Sequence, residues 1–207
     1  MLLISVFVAA LTGIAPDALT KAIDNYHRVE SYSVTIRSSG ENGAQNIRYY
    51  YKKPGFVRME FIHPHEGAVL IYSPDTRRVR VWPFGINHFP ELNLSPDNLL
   101  IRGSGGQQVD SSDIGALFMN IRTLATGGTS EIVKEEYVSG RTDLHMVVTG
   151  ADKFVVGGVH RYELWLDTGN QFPIKVISHD QYNTIIETVI MEAPEVNAQL
   201  PDRLFNP

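Results

Sequence analysis

YYYKKPGFVRMEFIHPHEGAVLIYSPDTRRVRVW, running from Tyr49 to Trp82, decides the fold. It reads as four consecutive antiparallel strands that turn at Lys53-Pro54-Gly55, at His63-Pro64-His65-Glu66-Gly67 and at Ser73-Pro74-Asp75. Tyr49, Tyr51, Val57, Met59, Phe61, Val69, Ile71, Val79 and Val81 recur at period two, and Arg58, Glu60, Arg78 and Arg80 fall largely between them. Successive strand side chains point to opposite faces, so this alternation predicts a sheet with one apolar and one polar face. So large an apolar face requires a cover.

The flanking sequence supplies candidates. Pro16 to Glu30 carries Leu19, Ala22, Ile23, Tyr26 and Val29 at helical spacing, with Pro16 and Asp17 suited to a helix start. Ser31 to Ser38 switches to period two and places Tyr32, Val34 and Ile36 on one face. Beyond Trp82 the regular pattern stops. Residues 83–108 are rich in Pro, Gly and Asn, yet hold Phe84, Ile86, Phe89, Leu92, Leu94, Leu99, Leu100 and Ile101. A solvated loop has no use for so many large apolar side chains. Short helical turns are predicted near Ser95-Pro96-Asp97-Asn98, with Ser95 as the cap. Ser111-Ser112-Asp113 then offers caps for a helix through Leu124, with Ile114, Leu117, Phe118, Ile121 and Leu124 on one side and Gly127-Gly128 at its end.

The second half returns to strands, over 130–138, 143–149, 160–167, 173–181 and 184–192. One helix, several strands, one apolar interruption with helices and several more strands make an α+β chain. The predicted architecture is a strongly curved antiparallel sheet of nine or ten strands, an incomplete, half-open β-barrel with helices covering its concave face.

The first fifteen residues, MLLISVFVAALTGIA, differ in composition: they are apolar, uncharged and end in small residues. They read as the h-region of a secretory signal with Gly13-Ile14-Ala15 as the cleavage site, although the basic n-region is missing. A buried N-terminal helix is the alternative. A membrane span needs about 20 apolar residues, more than this segment has. Residues 16–207 are then expected to be a single domain in the periplasm. Of the 207 residues, 43% are hydrophobic and 20% charged, the composition of a folded globular chain. The net charge of -5 gives no footprint for nucleic acid. With no cysteine there is no disulfide, thiolate metal site or cysteine nucleophile.

Catalytic spacing is sparse. His65-Glu66-Gly67-Ala68-Val69 starts like a zinc-protease motif but has Val69 where the second histidine belongs. His63 and His65 lack the carboxylates that would complete a metal site. Gly103-Ser104-Gly105-Gly106 lacks the Lys of a phosphate loop and the spacing of a nucleophile elbow, and reads as a hinge. Glu135 and Glu136 fall on opposite faces of a strand. No enzyme, cofactor or metal is expected. Tyr49-Tyr50-Tyr51 reads as strand core before nucleic-acid stacking, and Arg77-Arg78-Arg80 as a solvated hairpin with scope for contact with anionic lipid. Arg58 faces away from Val57 and Met59 if the strand is regular; whether its face is solvent or cavity depends on register.

The run Tyr51-Lys52-Lys53-Pro54-Gly55-Phe56-Val57-Arg58-Met59-Glu60-Phe61, followed by Pro64 and Val69-Leu70-Ile71-Tyr72, resembles the outer-membrane lipoprotein carrier family. Leu164-Trp165-Leu166-Asp167, Phe172-Pro173-Ile174-Lys175, and then Asn197, Leu200 and Phe205 follow in the family's order. The resemblance, to the LolA/LolB-type superfamily, implies a half-barrel that carries or receives lipoprotein acyl chains in the periplasm. It implies an apolar cavity lined by Val34, Ile36, Tyr49, Tyr51, Val57 and Met59, and further by Phe61, Val69, Ile71, Val81, Leu164 and Leu166. Leu92, Leu94, Leu99, Leu100, Leu117, Phe118 and Ile121 become lid residues, and Arg58 the latch that hydrogen-bonds the lid. The implied partners are lipid or the acyl chains of lipoproteins, an inner-membrane donor, an outer-membrane acceptor and transient membrane contact. The protein is expected to be a monomer. Members that act as envelope sensors supply the alternative, a non-enzymatic protein-interaction module.

Overall fold

A computed structural model describes residues 15–41, 43–103, 107–138 and 141–207. The proposed signal segment, apart from Ala15, and the centre of the glycine hinge, 104–106, lie outside the described residues, as do the side chains of Glu135 and Glu136. Two α-helices, α1 (Ala15–Tyr26) and α2 (Ile114–Ala125), accompany eleven strands. The strands are β1 (Ser31–Gly40), β2 (Gly43–Lys52), β3 (Phe56–His63), β4 (Val69–Ser73), β5 (Arg78–Trp82) and β6 (Leu92–Leu94) in the first half. The second half contributes β7 (Thr129–Val138), β8 (Arg141–Thr149), β9 (Arg161–Asp167), β10 (Pro173–His179) and β11 (Ile185–Val196).

All the strands form one antiparallel sheet in the order β6-β5-β4-β3-β2-β1-β11-β10-β9-β8-β7. Each half is a meander, and β1 paired with β11 joins the two. Among the described residues β6 and β7 remain unpaired edges, so the barrel is half open, as the alternation predicts. The expected count of nine or ten strands is short because Leu92–Leu94, read as lid, pairs with β5 as an edge strand.

Directly opposed residues in an antiparallel pair share a face, so the register yields rows of concave side chains. One row runs Tyr32–Tyr51–Val57–Tyr72–Val79–Leu94, and its neighbour runs Val34–Tyr49–Met59–Leu70–Val81–Leu92. The other half adds Met146, Leu164 and Val176 in one row, with Leu144 beside Leu166. Short of Leu92 and Leu94 at the edge, these rows form one apolar core with α1 and α2.

A smaller cluster lies on the opposite face: Val69, Ile71, Trp82 and Phe205, flanked by Tyr50, Phe56, Ile86, Leu200 and Leu204. Val69 and Ile71 are therefore not on the concave face. The turn between β3 and β4 pairs Met59 with Leu70 and Val57 with Tyr72, which inverts the parity carried over from β3. Four of the five β4 residues are buried, so the strand has no polar face by which its phase could be read.

After β11 the chain runs outside the sheet as a strap. Ser31 Oγ donates to the Ala198 carbonyl at 2.6 Å, and Lys52 Nζ pairs with Asp202 at 2.6 Å. Phe205 is buried at its far end.

Candidate functional site

The apolar concave face and its helical cover are the candidate site. α2 lies on that face because its sequence is amphipathic: Ile114, Phe118, Ile121 and Leu124 are buried, while Met119, Asn120, Arg122 and Thr123 face outward. Asp113 caps it, its Oδ1 accepting from Gly115 N at 2.6 Å and Ala116 N at 3.3 Å. Gly127, at φ 79°, follows its end.

The N-terminus of α2 is clasped by tyrosines from three elements. Tyr26 on α1 donates its hydroxyl to Asp113 Oδ1 at 3.0 Å. Tyr32 on β1 accepts from Ile114 N at 3.3 Å. Tyr49 on β2 lies 3.1 Å from Ser112 Oγ, which gives its own hydrogen to the Val109 carbonyl at 2.7 Å, so Tyr49 is the donor. The rings of Tyr49 and Tyr51 stack on Tyr32 at 5.9 and 5.1 Å, and Tyr26 meets Phe118 edge-on at 5.8 Å. A buried tyrosine needs a partner for its hydroxyl, and here the α2 cap supplies three of them.

Burial raises the Tyr26, Tyr32 and Tyr49 hydroxyls above the ordinary tyrosine value, with the Asp113 carboxylate adding to the effect on Tyr26. Tyr162, in the wall, is pushed up to about 12 by burial. Unfolded tyrosines release protons near pH 10 while the folded hydroxyls retain theirs. Above that pH the unfolded state binds fewer protons, so stability falls by about 1.4 kcal/mol per pH unit for each such tyrosine. For Tyr162 the loss runs from 10.0 to about 12. Urea midpoints at about pH 9 and about pH 11 are expected to differ strongly, and equal midpoints would show that these hydroxyls are not retained.

Val34, Tyr49, Tyr51, Val57, Leu164 and Leu166 are buried in the concave core, and Ile36, Met59, Phe61 and Val81 pack partly against it. Phe118, Ile121 and Leu117 lie on α2, packed against this core. Leu92 and Leu94 belong to the wall. Leu99 and Leu100 cover nothing: they form a 3-10 turn at 77% and 80% exposure, capped by Asn98 and not by Ser95, which bonds Asp97. Phe84 and Phe89 are also exposed. The cover is thus the two helices with Ile101 and Val109 beside them, without Phe84, Phe89, Leu99 and Leu100.

Arg58 does not face the cover. Its row is Tyr50–Arg58–Ile71–Arg80, on the outer face. Its Nη1 donates to the Leu204 carbonyl at 2.7 Å, and its guanidinium pairs with Glu60 at 2.8 Å. It clamps the strap. The residues that hold the cover are Tyr26, Tyr32, Tyr49, Ser112 and Asp113. Sequence reasoning placed each in its element and missed their meeting; hydroxyl-bearing side chains at so many concave positions were the available signal.

Among the described residues the concave side chains pack against the two helices in one continuous core. A cleft lined by Tyr26, Val29, Phe118, Asn170, Gln171, Phe172, Pro173 and Val196 offers about 10 Å³ to a water's centre, room for about one molecule. Among the described residues no group of three His, Asp or Glu side chains is placed to hold a metal, and no helix is long and apolar enough to cross a membrane.

No family model matches the chain. No curated protein matches it either. Solved structures do. An uncharacterized conserved protein of Thermus thermophilus aligns at TM-score 0.56 and 11% identity over 93% of this chain and 92% of its own. The Mycobacterium tuberculosis lipoprotein LppX aligns at TM-score 0.54 and 11% identity over 90% and 98%. MucB aligns at TM-score 0.53 and 19% identity over 92% of this chain, which spans 62% of MucB. The chain shares the fold of these structures, an open, curved antiparallel sheet with helices on one face.

Proposed function

We propose that this protein binds the acyl chains of lipids or lipoproteins on its concave face, with α2 as a displaceable cover, and that it works in envelope lipid transport or lipoprotein sorting in the periplasm. An inner-membrane donor and an outer-membrane acceptor are the partners this reading calls for. The observation that carries it is the construction of the cover. α2 presents four buried side chains to the wall and is fixed by one polar clasp at its N-terminus.

Burial of those four residues is worth about 6–12 kcal/mol at about 1.5–3 kcal/mol each. An acyl chain of about 12–16 carbons gains a similar amount at about 0.8 kcal/mol per methylene. Exchange of the helix for a chain is therefore near balance, which is what reversible loading and release require.

Native mass spectrometry of protein purified from a periplasmic extract is expected to show co-purifying lipid, and delipidated protein to take up a fluorescent fatty acid. A clean apo mass with no uptake would remove the reading. The packing of the helices against the concave core supports a second reading, a protein-interaction module; MucB is known in complex with MucA(peri), in a structure to which this chain aligns at TM-score 0.51. Recovery of an envelope protein from detergent-washed beads, without lipid uptake, would select it.

A further inference from the structure

The clasp at the N-terminus of α2 also has the chemistry of a ligand site. Three hydroxyls meet there: Tyr26 from α1, Tyr32 from β1 and Tyr49 from β2, with the Tyr51 ring stacked on Tyr32. The acceptors of Tyr26 and Tyr49, Asp113 Oδ1 and Ser112 Oγ, both belong to the segment that leads into the cover. When α2 leaves the concave face, these acceptors leave with it. Tyr26 and Tyr49 then lose those acceptors, and buried polar groups that lose a partner favour a replacement.

We propose that this tyrosine cluster is the headgroup site for an amphiphile bearing one carboxylate, a long-chain fatty acid, and that Asp113 stands in the place of the ligand's carboxylate while the cover is closed. The inference rests on the reading that an acyl chain displaces α2. The group now seated among the tyrosines is itself a carboxylate, with one oxygen accepting the Tyr26 hydroxyl at 3.0 Å. Burial holds the hydroxyls protonated well past neutral pH, so they act as donors throughout the physiological range.

The position also suits an amphiphile. The cluster lies at the N-terminal end of α2, beside the cleft between Tyr26, Phe118 and Phe172. A twelve-residue helix is about 18 Å long, so the strip it vacates accommodates an extended acyl chain leading away from the headgroup. A carboxylate accepts several charge-assisted hydrogen bonds, whereas an ester offers a weaker neutral carbonyl.

Isothermal titration of delipidated protein with laurate and with methyl laurate tests the assignment. Laurate is expected to bind about tenfold more tightly than the ester, the ratio one charge-assisted bond supplies. In a Tyr26→Phe/Tyr49→Phe variant, which keeps the rings, that ratio is expected to fall towards one. Asp113→Asn guards against misfolding of that variant: it weakens the closed state alone, so laurate and ester affinities should rise by the same factor, and no rise for either would overturn the stand-in role of Asp113. Equal affinities for laurate and ester in the native chain would overturn the headgroup assignment and leave acyl binding standing. Binding of neither would overturn both.

Discussion

Arg58→Ala is expected to lower the unfolding free energy by about 2–4 kcal/mol and to leave laurate affinity unchanged within about twofold. The residue is 8% exposed, and its side chain spans the Leu204 carbonyl and the Glu60 carboxylate. Its removal leaves the Leu204 carbonyl of the strap without that donor and Glu60 with only the longer pair to Arg48 at 3.9 Å. Glu60 keeps some access to water, which limits the loss below that of a fully buried pair. The damage should spread along the strap, because Arg80 holds the next carbonyl, that of Phe205, at 3.2 Å. Phe205→Ala alone should cost about 3–5 kcal/mol by emptying the outer cluster. If both substitutions release the same strap, the double variant will lose less than the two losses added together, and urea unfolding of the four proteins measures the difference. The opposite result, unchanged stability with altered ligand uptake or release, would return Arg58 to the cover and make the strap incidental.

Arg58 shows which parts of this molecule are readable in its sequence. The alternation from Val57 to Phe61 correctly puts Arg58 on the face opposite Val57 and Met59. What occupies that face comes from residues 204–206, about 145 positions away, and no local pattern reports it. β4 fails for a different reason: with both faces buried, period two carries no phase, and the intervening turn inverts the parity inherited from β3. Leu92–Leu94 is too short for any period to register, so its apolar content reads as lid when it completes two rows of the wall. α2 is fully legible, because a capping aspartate, an apolar stripe and a terminal glycine pair agree with one another. Its clasp is half legible. The tyrosines are visible as concave residues, but the identity of their hydroxyl partners depends on how α2 docks, which is a tertiary fact.

Phe118→Ala separates a helix that yields to the ligand from a helix that lines a permanent site. Phe118 is 2% exposed, packs edge-on against Tyr26 and walls the existing cleft. Truncation should cost about 3–5 kcal/mol of stability through lost burial and the hole left behind. That hole is apolar, and apolar holes of this size stay dry and accept apolar guests. If α2 is the competitor of the acyl chain, weakening its hold raises the apparent affinity, by up to about tenfold for each 1.4 kcal/mol removed from the closed state alone. Ligand should then raise the melting temperature of the variant by more than it raises that of the native chain, since whatever binds the folded state stabilises it in proportion to its affinity. If Phe118 instead contacts the chain in a fixed cavity, its loss removes apolar contact from the complex and affinity falls. The sign of the change in laurate affinity, with the melting shift as its independent check, decides whether the cover must move for this fold to load.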